Sequence, residues 1–99
     1  MPKRVYLAAR DLVFRAKFGA ALAGAGAEAT RDEAACDLAV LDAEAPDALE
    51  RIRGFVARGV PVLAYGPHVR AELLRAAREA GAVAVPNSRV EETLRDLLS

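Results

Sequence analysis

The feature that most constrains this chain is a regular alternation of short, apolar, β-rich runs with amphipathic stretches long enough for helices. Runs at 4–8, 28–30, 38–41, 60–65 and 82–85 read as strands, and stretches at about 11–25, 47–58, 67–80 and 89–98 read as helices. Strands that alternate with helices pair in parallel through right-handed crossovers, which puts helices on both faces of one sheet. The run 38–41 is apolar without a polar alternate, as a strand covered on both faces requires. The punctuation agrees: Pro46 and Pro67 suit a first helical turn, Gly59 and Gly81 suit C-caps, and Ser88-Arg89-Val90-Glu91 spells a capping box with Ser88 as N-cap.

These signals predict an α/β, flavodoxin-like three-layer sandwich: one domain over residues 1–99 with a parallel five-stranded sheet in the order 2-1-3-4-5. One unit departs from the plan. Only about seven residues, Arg31 to Asp37, join the second and third strands, where a parallel crossover takes about a dozen or more. The second helix is therefore expected to be missing or very short. Seven extended residues span roughly 23 Å, enough to run back along a short strand. Losing the helix uncovers sheet surface beside the first and third strands, expected to be apolar and to be covered by a homodimer partner or another protein.

At 99 residues the chain has room for one modest core. Its 14 basic and 14 acidic residues cancel without a block of one sign, which argues against a general nucleic-acid binder. Cys36 is the single cysteine and His68 the single histidine, so neither an internal disulfide nor a zinc set is available. The start Met1-Pro2-Lys3-Arg4 leads into an apolar run too short for a signal sequence or a membrane span, and a cytoplasmic, soluble protein is expected. Gly19, Gly24 and Gly26 fall in or at the end of the first helix, not between strand and helix, so they make no phosphate loop. No metal and no cofactor is expected.

The stretch Asp37 to Asp42, then Ala45-Pro46-Asp47, a helix, Val60-Pro61-Val62-Leu63 and Glu79-Ala80-Gly81-Ala82, resembles the receiver domain of response regulators over nearly the whole chain. In that family the aspartate ending the third strand accepts a phosphoryl group, and the resemblance puts Asp42 there. Where receivers carry an acidic pair that ligates magnesium this chain has Ala9 and Arg10, with Asp11 one step later. Gly66 stands in place of the threonine or serine, Ser88 in place of the lysine and Val85 in place of the aromatic switch residue. The resemblance thus implies a degenerate, stand-alone pseudo-receiver. A single carboxylate is a poor host for magnesium, and phosphoryl transfer without metal or lysine loses most of its electrostatic support.

The rim where strands end carries the other candidates. Arg10 is placed to pair with Asp42, a fixed guanidinium where receivers hold a mobile cation; the plainer alternative has Asp42 capping its own turn. Arg10, His68, Asn87, Ser88 and Arg89 are candidates for an anion or nucleotide site with the helix N-termini. Asp11 is read as the cap of the first helix. Phe14, Phe18 and Leu22 share one helical face, which is core spacing. Arg70, Glu72, Arg75, Arg78 and Glu79 are read as a solvated surface, with Arg75 and Glu79 spaced as an i,i+4 pair. The expected function is a phosphorylation-independent pseudo-receiver acting as a protein-interaction module in signalling, and not an enzyme. The alternatives are a receiver still phosphorylated on Asp42, and a small-anion or nucleotide sensor at the rim.

Overall fold

The computed structural model describes residues 2–9 and 11–99. Among them five strands alternate with four α-helices: β1 (Arg4–Ala8), α1 (Leu12–Gly24), β2 (Glu28–Thr30), β3 (Leu38–Asp42), α2 (Ala48–Ala57), β4 (Val62–Gly66), α3 (Ala71–Glu79), β5 (Val83–Pro86) and α4 (Val90–Leu98). All neighbouring strands are parallel, in the order β2-β1-β3-β4-β5. This is the flavodoxin-like sandwich that the alternation predicts.

The period-2 geometry of the central strands splits the core into two layers. Val5, Leu38, Val40, Leu63 and Tyr65 face α1 and α4, packing with Phe18, Leu22, Val90 and Leu94. Ala39, Leu41, Val62 and Ala64 face α2 and α3, packing with Ile52, Phe55, Leu74 and Ala77. Phe18 and Leu22 are buried as their spacing requires. Burying both faces of β3 is what makes its sequence continuously apolar.

Helix ends differ in detail from the sequence reading. Gly59 and Gly81 take positive φ, +78° and +107°, just past α2 and α3, as C-caps should. Pro46 and Pro67 instead lie before their helices, in turns whose carbonyls at Ala45 and Pro67 accept from Ala48 and Arg70. The Pro67 turn delays α3 to Ala71. The capping box does not form. A single 3-10 turn, Asn87–Arg89, precedes α4, so Arg89 and not Ser88 is its N-cap, and no side chain caps it. Glu91, the residue the box would use, pairs with Arg95 at 2.6 Å instead. Arg75 and Glu79 form no ion pair among the described residues, and Arg78 turns inward to donate two hydrogen bonds, 3.1 and 2.8 Å, to the Ala84 carbonyl.

The second crossover helix is reduced to one 3-10 turn, Glu33–Ala35, capped by Asp32. The sheet face it leaves is screened by charge, which corrects the expectation of open apolar surface. Arg51 reaches from α2 across the Tyr6 ring, 5.3 Å from its centroid, donates to the Tyr6 hydroxyl at 2.7 Å and pairs with Glu33. A groove of about 680 Å³ remains, lined by Glu33, Asp47, Glu50, Arg51, Gly54, Phe55 and Arg58.

Candidate functional site

The carboxyl ends of β1, β3, β4 and β5 converge on one rim, where open parallel sheets place their binding sites. Asp42 ends β3 and stands opposite Tyr65 in the β3–β4 register. Its Oδ1 accepts a hydrogen bond from the Glu44 amide at 2.9 Å, and its carbonyl accepts from the Ala45 amide at 3.1 Å. The carboxylate therefore caps its own turn, the plainer of the two roles expected for it. A cavity of about 110 Å³ adjoins it, lined by Ala8, Asp42, Glu44, Ala45 and Pro46.

Asp11 caps α1, accepting from the amides of Val13 and Phe14 at 2.7 and 3.4 Å. Between these carboxylates stands a residue that sequence reasoning missed. Tyr65 is 2% exposed and its hydroxyl has no hydrogen-bond partner among the described residues. Its ring packs against Phe14 and Phe18, with centroids 5.0 and 5.4 Å apart, which is the structural use of the aromatic pair on α1. Burial holds the Tyr65 hydroxyl far above the usual phenol range, and the negative charges of Asp42 and Asp11 push it further. The signal in the sequence was its period-2 position opposite Asp42, legible only once the register is known.

The described candidates for an anion site stand on two turns of this rim. Arg10, also expected to pair with Asp42, lies outside the described residues. His68 is exposed on the β4–α3 turn, while Asn87, Ser88 and Arg89 share the 3-10 turn before α4. Arg89 pairs with Glu92 at 3.1 Å, and the Asn87 Oδ1 is buried with no hydrogen-bond partner among the described residues. On the neighbouring loops Arg70 is held by Glu72 at 2.6 Å and Glu44 at 3.7 Å. The described side chains do not make the ligand set that the magnesium implied by the resemblance would need: no group of three or more His, Cys, Asp or Glu converges among them.

No family model and no curated protein matches the sequence. Solved structures do. The chain is similar to a candidate response regulator from Chloroflexus aurantiacus (TM-score 0.79, 18% identity, covering 99% of this chain and 98% of that one). It is equally similar to the beryllofluoride-activated DrrB receiver domain (TM-score 0.79, 20% identity, 99% and 95% covered). The beryllofluoride-activated NtrC4 receiver domain dimer follows (TM-score 0.72, 15% identity, 97% and 98% covered).

The chain has the receiver fold.

Within that fold, this chain has a second crossover reduced to one 3-10 turn and an Asp42 that caps its own turn. Gly66 has room for a Cβ, which would meet Ala43 and Leu74 at an ordinary 3.6 Å, so packing alone does not demand glycine there. Among the described residues no helix is long and apolar enough to cross a membrane.

Proposed function

We propose that this receiver-fold domain is a regulatory module in signalling that works through protein contact and not through phosphoryl transfer at Asp42. The observation that carries the reading is the engagement of Asp42: its carboxylate is bound to the Glu44 amide, with no cluster of metal-ligating side chains around it among the described residues. Phosphoryl transfer to a carboxylate depends on charge neutralisation and positioning, and neither is provided here by the described side chains. The domain is then not an enzyme, and its working part is a surface. Its retained fold and apolar double-layered core keep that surface rigid.

Two of the similar structures are beryllofluoride-activated receivers, which makes beryllofluoride the apt probe. Amide spectra of the isotopically labelled protein, recorded with magnesium and beryllofluoride, are expected to remain unchanged around Asp42. Shifts centred on Ala43, Glu44 and Gly66 would overturn the proposal and favour a receiver still phosphorylated on Asp42.

A further inference from the structure

The vacated crossover position exposes one face of α2, and its chemistry is ordered along the helix. Asp47, Glu50, Arg51, Gly54 and Arg58 line the groove and follow the spacing of a single helical face. Gly54 stands at the middle of that face, exposed, and a Cβ built there meets nothing within 4 Å. Glycine is a poor residue for a helix interior, but it lets another backbone come close. Glu50 lies four residues before it and Arg58 four residues after, each about 6 Å away along the axis. Arg51, on the same face, is turned aside to Tyr6 and Glu33 and leaves the middle open.

Glu50 and Arg58 are both exposed, and neither forms an ion pair with a described residue. Arg58 is nevertheless held in place. It lies over the Phe55 ring, 4.9 Å from the centroid, and donates to the Glu33 carbonyl at 3.2 Å. One end of the face is thus acidic, the middle smooth and the other end basic. Such a pattern is complementary to itself when reversed, which is the requirement of a two-fold interface.

We propose that a second copy of this chain fills the groove. The two α2 helices pack antiparallel about a two-fold axis at Gly54, each occupying the other's vacated helix position, with Glu50 against the partner's Arg58 and the converse. This deepens the interaction part of the reading above by naming the partner and the face, and it stands on geometry independent of Asp42.

Sedimentation of the whole chain over a range of concentration tests it. A monomer–dimer equilibrium is expected, weakened on the order of tenfold or more by Glu50→Arg or by Arg58→Glu, because each reversal sets like charges together at both ends. The double variant is expected to regain the dimer. An equimolar mixture of the two single variants is expected to form a heterodimer, since the two reversals together restore opposite charges to the 50–58 contacts at both ends. Gly54→Leu is expected to give a folded monomer, its circular dichroism intact because the site is open. A chain that stays monomeric at millimolar concentration overturns the proposal. So does a dimer indifferent to both reversals and to Gly54→Leu. Beryllofluoride spectra address Asp42 alone, so the two readings fail separately.

Discussion

Tyr65 faces Asp42 across the β3–β4 ladder, and its buried hydroxyl is left without a hydrogen-bond partner among the described residues while two carboxylates act on it. An orphaned buried hydroxyl costs stability, so Tyr65→Phe is expected to stabilise the fold by about 1 kcal/mol in urea unfolding. The pH dependence has a definite sign. The folded protein holds this proton above the unfolded phenol value of about 10, so the unfolded state loses it first and stability falls as pH rises past that point. Tyr65→Phe is expected to flatten that alkaline decline. A variant that loses stability and keeps the full decline would show the hydroxyl to be satisfied.

Asp11 offers its Oδ1 to two amides at the start of α1. Asp11→Ala is expected to cost about 1 kcal/mol and Asp11→Asn only a few tenths, because the amide oxygen still caps. Hydrogen exchange at Val13 and Phe14 should quicken in the alanine variant and remain slow in the asparagine one.

Gly59 and Gly81 occupy the same kind of helix-end conformation with different surroundings. A Cβ at Gly59 meets nothing within 4 Å, whereas one at Gly81 comes within 3.1 Å of both Val56 methyls. Gly59→Ala is expected to cost about 1 kcal/mol through backbone conformation alone. Gly81→Ala should cost measurably more, and Val56→Ala in the same chain should recover part of the excess. Equal costs for the two substitutions would remove the Val56 contact as a cause.

Arg51 screens Tyr6 where the crossover helix is lacking. Arg51→Ala is expected to raise acrylamide quenching of tyrosine emission, because Tyr6 is uncovered while Tyr65 stays buried. The stability loss should be about 1 kcal/mol, coming mainly from the Tyr6 hydrogen bond and packing. The Glu33 pair adds little, since those side chains are 25% and 50% exposed. Arg51→Lys is expected to recover little of the protection, because an ammonium does not lie flat over the ring.

The rhythm of apolar runs and the length of the connections determined the parallel sheet, its strand order, the two-faced core and the loss of the second crossover helix. Those are consequences of local periodicity and of chain reach, and both can be counted along a sequence. Asp42 at the tip of β3 and Asp11 as a cap were legible for the same reason. The start of α4 was not: Ser88 and Glu91 spell a cap, but the 3-10 turn at Asn87 shifts the helix by one residue and Arg95 takes the glutamate. Only the tertiary structure decided that Tyr65 sits buried against Asp42, that Arg51 spans to Tyr6, and that Glu50, Gly54 and Arg58 line one groove. Those relations join residues from different elements, and their energies depend on register and burial, which no local pattern carries.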